Sequence, residues 1–154
     1  MPKKYLICAD GSESSKNALS MVKDLFNNAH DQLFILSVGV FEPKFWDTDR
    51  EKNTRIVAKE RENALALVEE YKKLAAEMGF ENVRGEVLVG GPREVIVSFS
   101  ENNAIDVIAM GARGLGPIKR LVVGSVSDYV VKNAPCNVLV YKPKNQNRDL
   151  KKSA

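Results

Sequence analysis

The chain has 154 residues, of which 44% are hydrophobic and 28% charged, the size and balance of one globular domain able to bury a core. Its apolar runs, such as 33–36 and 138–140, fall far short of the roughly 20 residues that cross a bilayer, and Lys3 and Lys4 are followed by no secretory h-region, so a cytoplasmic protein without membrane contact is expected. The net charge of +3 is unevenly placed: the tail from Lys142 carries +4 and the first 141 residues −1, which excludes the basic stripe of a dedicated nucleic-acid binder.

In chain order, the run Tyr5–Ala9 predicts a strand, and Asp10-Gly11-Ser12 supplies turn and N-cap chemistry for a helix. Ala18, Leu19, Val22, Leu25 and Phe26 mark the buried stripe of that helix, with His30 read at its end, beside the helix dipole. A second strand is expected over Leu33–Val38. The aperiodic stretch from Gly39 to Asp49, with Phe41, Pro43, Phe45 and Trp46, reads as a loop. A long helix follows from about Arg50 to Met78, buried along Ala64, Leu67, Val68, Tyr71, Leu74 and Ala75 and ended by Gly79.

Val83–Val89 is the third strand, and Gly90-Gly91-Pro92 opens a helix that turns Val95, Ile96 and Phe99 inward. Ile105–Met110 is the fourth strand and residues 111–123 a glycine-containing loop. A helix from Gly124 to Asn133 stops before Pro135, and Val138–Tyr141 closes the pattern as a fifth strand. Strands apolar on both faces, alternating with helices, predict a single α/β domain with a parallel sheet covered on each side. Residues 144–154 form a basic polar tail expected to fray.

Ligands of an open α/β sheet bind at the carboxyl ends of its strands. The first such loop lacks G-x-G-x-x-G, and no G-x-x-x-x-G-K-[ST] occurs, which argues against dinucleotide and Walker-type sites. The loop after strand four is richer. Gly111 and Gly114 let backbone amides approach an anion, Gly124 and Ser125 place free amides at a helix N-terminus, and Arg113, Lys119 and Arg120 add positive charge. Asp10, Ser12 and Ser14 also fit plain helix-cap and turn roles, and the loop glycines fit turns.

The spacing Gly111-x2-Gly114-x9-Gly124-Ser125 resembles the nucleotide-binding motif G-2x-G-9x-G-(S/T) of the universal stress protein family. Asp10-Gly11-Ser12-Glu13-Ser14, Ser37-Val38, Gly90-Gly91-Pro92 and 135–140 extend the resemblance over residues 1–143. It implies a Rossmann-like sheet of order 3-2-1-4-5, a homodimer formed partly through Val138, Leu139, Val140 and Tyr141, and ATP binding with magnesium or manganese. Ala9 and Val38 would then flank adenine, and Asp10 would meet the ribose or help hold the metal. Met110, Gly111, Arg113 and Gly114 would contact ribose and the first phosphates, and Gly124, Ser125, Val126 and Ser127 the outer ones.

Gly39-Val40 departs from bulkier residues in many relatives, so the adenine wall is expected to be looser. The aromatics at 41, 45 and 46 suit either a lid over adenine or a dimer contact. The implied strand order puts roughly 10 Å between the strands of Cys8 and Cys136, too far for a disulfide. With one histidine remote from the glycine loop and no nucleophile paired to a base, no catalytic residue is assigned. The expected function is that of an ATP-binding, dimeric regulator of stress response acting through a protein partner, with nucleotide ordering the loops at 39–49 and 111–123. A slow ATP hydrolase, a nucleotidyl-transferring enzyme and a structural dimer without nucleotide are the alternatives.

Overall fold

Strand and helix alternate along the described chain because short continuous apolar runs give way, after each turn signal, to apolar stripes of period 3.6. A computed structural model describes residues 1–112 and 124–143. The elements are β1 (Lys4–Cys8), α1 (Glu13–Leu25), β2 (Gln32–Val40), α2 (Arg50–Glu77), β3 (Val83–Gly90), α3 (Pro92–Asn102), β4 (Val107–Gly111), α4 (Ser125–Asn133) and β5 (Asn137–Tyr141). The five strands make one parallel sheet of order β3-β2-β1-β4-β5, as expected, with β5 at an edge.

Successive β1 side chains divide the core between the two faces. Tyr5 and Ile7 join Leu19, Val22, Val68 and Tyr71 under α1 and α2. Leu6 and Cys8 join Ile96, Phe99, Ile108 and Val130 under α3 and α4. This alternation makes β1 apolar throughout and places it centrally, between β2 and β4. The chain moves from β1 toward β2 and β3, then crosses to β4 on the other side, so the strand order reverses beside β1 and opens a crevice there.

Local chemistry starts and stops the helices where the sequence signals it. Ser12 caps α1 by accepting the Ser15 amide at 3.1 Å, and Asp49 caps α2 by accepting the Lys52 amide at 3.0 Å. Gly79, at φ +87°, follows the end of α2.

Several boundaries differ from expectation, among them β4, which runs Val107–Gly111 in place of the expected 105–110. β2 continues through Gly39 and Val40, which pair with Val89 and Gly90, so the loop starts two residues later. Helix α1 ends at Leu25, leaving His30 in the following turn with Nδ1 2.8 Å from Asp31 Oδ1. The histidine therefore pairs with a carboxylate instead of meeting a helix end. Asp31 is buried and organises that turn, accepting the amides of Lys3 at 2.8 Å and Asn27 at 2.9 Å.

Cys8 and Cys136 are both free thiols, β4 standing between β1 and β5. Among the described residues no helix is long and apolar enough to cross a membrane, and no three His, Cys, Asp or Glu gather as a metal cluster. The tail over 144–154 lies outside the described residues.

Candidate functional site

The carboxyl ends of β1, β2 and β4 and the first turn of α4 enclose one cleft. Directly after β1, the Ala9 amide donates to the Leu36 carbonyl at 2.8 Å, which extends the sheet's pairing to the cleft mouth. Asp10 then turns the chain. Its Oδ1 accepts from the Ser12 amide at 2.8 Å and from Ser12 Oγ at 2.6 Å, so the residue that caps α1 also orients the carboxylate. Gly11 adopts φ +83°, and a Cβ there would stand 3.2 Å from Leu67 Cδ2 on α2. The left-handed conformation and the close helix together call for glycine.

At β4 the chain passes from buried Met110 to Gly111, whose missing side chain has a packing cause. A Cβ at this position would lie 2.5 Å from the Ser15 amide nitrogen and 2.6 Å from Ser14 Cβ. The end of β4 thus lies directly against the first turn of α1, and Ser14 is buried in that contact.

Gly124 occupies the N-cap of α4 in extended geometry with no side-chain cap hydrogen bond. The first amides of a helix have no partner within it, and their positive dipole end suits an anion. The Ser127 hydroxyl is committed elsewhere: it donates to the Gly111 carbonyl at 3.3 Å and is buried, which holds α4 against β4. Ser125, by contrast, has an exposed side chain.

Nine of the residues singled out in the sequence line this one cleft: Ala9, Asp10, Val38, Met110, Gly111, Gly124, Ser125, Val126 and Ser127. Arg113 and Gly114, like Lys119 and Arg120, lie outside the described residues. Val40, Leu67, Pro92 and Ile96 line the cleft as well, without having been singled out for it. Leu67 and Ile96 carry a periodic apolar signal, but that signal is the same for a residue under a helix and a residue facing a cleft.

Gly39 corrects an expectation. A Cβ here would meet the backbone carbonyl carbon and oxygen of Glu60, each at 2.9 Å, so the residue faces α2 and leaves the cleft wall to Val38 and Val40. Its small size brings a helix close to the sheet and does not thin the wall. Phe45 is 91% and Trp46 61% exposed, their rings 5.0 Å apart and Lys44 Nζ 5.1 Å from the Trp46 ring; neither lines the cleft.

Cys8 lines the cleft, but burial, reinforced by the Asp10 charge, pushes its thiol up to about 12. It stays protonated at neutral pH and is no nucleophile. The cleft therefore combines apolar walls, one exposed carboxylate at the turn after β1, and the first turn of α4 behind a glycine N-cap. This suits a flat, weakly polar ring system joined to an anionic group.

The sequence profile of the universal stress protein family matches residues 1–142. The chain belongs to that family. A universal stress protein of Methanocaldococcus jannaschii is 34% identical over 149 residues, covering 94% of this chain and 85% of the relative. The solved structure of the hypothetical protein MJ0577, whose biochemical function was assigned from structure, superposes with a TM-score of 0.80 at 32% identity, covering 94% of this chain and 98% of that one. A universal stress protein of Arabidopsis thaliana, solved with AMP bound, superposes with a TM-score of 0.64 at 21% identity, covering 95% and 94%. The parallel 3-2-1-4-5 sheet is the fold this universal stress protein shares with these structures.

Proposed function

We propose that this universal stress protein binds ATP, with magnesium or manganese as companion ion, and acts in the cytoplasm as a dimeric, nucleotide-responsive regulator of stress response. The observation that carries the reading is the convergence of nine residues, from the ends of β1, β2 and β4 and the start of α4, on one cleft where a helix begins with glycine at its N-cap. AMP bound to the Arabidopsis relative supports an adenine nucleotide as the ligand class.

Adenine suits the apolar side of the cleft, between Ala9 and Val38 and beside Ile96 and Met110. Phosphates suit the amides of Ser125, Val126 and Ser127, whose dipole favours negative charge. Met110 and Gly111, together with Arg113 and Gly114 outside the described residues, would meet the ribose and first phosphates. Asp10 is the carboxylate that would face a divalent ion, and such an ion would neutralise phosphate charge. A buried, protonated Cys8 provides no covalent chemistry, which fits binding better than rapid turnover.

The dimer is proposed to form partly through β5. Among the described residues this edge strand pairs only with β4, and Val138, Leu139, Val140 and Tyr141 stay half-buried. An apolar edge favours cover by a second chain. Ordering of the loop at 41–49 by nucleotide would change the surface offered to a protein partner, while the same expectation for 111–123 falls mostly outside the described residues.

The test is calorimetric titration of nucleotide-stripped protein with ATP and magnesium at two temperatures. Saturable binding near one ATP per chain, lost in Asp10→Ala, is the expected result. No heat at either temperature would overturn the proposal and leave a structural dimer as the reading. Light scattering tests the dimer: a monomeric mass at micromolar concentration would remove it.

A further inference from the structure

Tyr71 belongs to α2, sixty residues beyond the turn that follows β1, yet its hydroxyl is a fixed point of that turn. The Gly11 amide donates to the Tyr71 hydroxyl at 3.1 Å. Tyr71 in turn donates to Ser15 Oγ at 3.0 Å, and Ser15 Oγ donates to the Cys8 carbonyl at 2.6 Å. The relay starts at the cleft turn and ends on the last residue of β1. Tyr71 and Ser15 are fully buried, so water does not substitute for either hydroxyl.

This explains a tyrosine where packing alone calls for any large apolar residue. The aromatic ring fills the core between α2 and the sheet, and phenylalanine would fill the same volume. The hydroxyl adds only polar work: it accepts from the cleft turn and donates to α1. Burial raises the phenol's pKa, so it keeps the proton that the relay needs, even though the bonds with Ser15 and Gly11 act in the other direction. Gly11 is held from two sides, by Tyr71 through its amide and by Leu67 through contact, while Asp10 Oδ1 is tied to Ser12.

We infer that Tyr71 is a positioning residue of the nucleotide cleft, its hydroxyl setting the Asp10-Gly11 turn and with it the place of the Asp10 carboxylate opposite the α4 N-terminus. The inference rests on the nucleotide reading above for its consequence in binding, and on the hydrogen-bond relay alone for its effect on the turn.

The experiment compares wild type, Tyr71→Phe and Ser15→Ala by amide hydrogen exchange without ligand and by titration with ATP and magnesium. Losing one hydrogen bond in Tyr71→Phe should speed Gly11 amide exchange about tenfold and weaken ATP binding about tenfold. Ser15→Ala removes the link to Cys8 but leaves Tyr71 able to accept from Gly11, so it should lower the melting temperature while ATP affinity stays within about threefold of wild type. A role confined to stability would move both variants alike and would overturn the inference, as would wild-type exchange at Gly11 in Tyr71→Phe. If wild type binds no ATP, the nucleotide reading fails, and Gly11 exchange still decides whether Tyr71 sets the turn. Wild type carries an independent check: the shielded Tyr71 hydroxyl proton should give a slowly exchanging resonance with an Overhauser effect to the Gly11 amide, and its absence counts against the relay.

Discussion

Gly111 and Ser15 meet backbone to backbone: a Cβ on Gly111 would stand 2.5 Å from the Ser15 amide nitrogen. Neither the end of β4 nor the first turn of α1 can relax as a flexible side chain would. Gly111→Ala should therefore cost about 1–3 kcal/mol in urea unfolding, the usual range for overpacking. Because Met110 and the Gly111 carbonyl that anchors Ser127 move with the strand end, ATP affinity should fall in the same variant. Unchanged stability would show that the contact is not tight.

Gly39 supplies the contrasting case. Its close neighbours are backbone atoms of Glu60, so Gly39→Ala should push α2 outward and cost a similar amount, about 1–3 kcal/mol. The residue faces away from the cleft, and ATP affinity should stay within about threefold of wild type, since sites that share no partners act independently. An affinity loss as large as that of Gly111→Ala would contradict the assignment of faces.

Asp31 makes stability depend on acid. Burial pushes its carboxyl up, but the Asn27 and Lys3 amides and His30 outweigh this and hold it below the usual carboxylate range. A depressed folded pKa contributes stability that is complete above the unfolded value of about 3.9 and is lost as pH falls through the lower folded value. Asp31→Asn should thus be most destabilising near neutral pH and less so below about pH 4. Urea unfolding across a pH series reads this directly, and a deficit independent of pH would refute it.

Ala104 has φ 51°, the left-handed region that disfavours a side chain. Its amide donates to the Glu101 carbonyl at 3.3 Å, and the turn leads into buried Ile105. Ala104→Gly should raise stability by about 0.5–1 kcal/mol, the relief of strain exceeding the entropy of the freer unfolded chain. Thermal unfolding showing a lower melting temperature would be the contrary result.

The order of elements, the helix cap at Ser12, and the apolar faces of α1 and α2 were legible in the chain because each depends on neighbours within one or two turns. The resemblance over 111–125 likewise led to residues the fold gathers in one cleft, although Arg113 and Gly114 lie outside the described residues. Readings that depended on what lies opposite a residue were weaker. Gly39 is small because Glu60 is near, and His30 serves Asp31 because α1 stops at Leu25.

By itself the sequence determined the elements, their alternation and the residues able to cap, turn or bury, since hydrophobic period and local hydrogen bonding act along the chain. Only the tertiary structure decided that the Tyr71 hydroxyl holds Gly11, that Gly111 admits α1, and that Leu67 and Ile96 line a cleft. Those facts depend on which helix crosses which strand end and at what distance, and period along one segment carries no information about a partner sixty residues away.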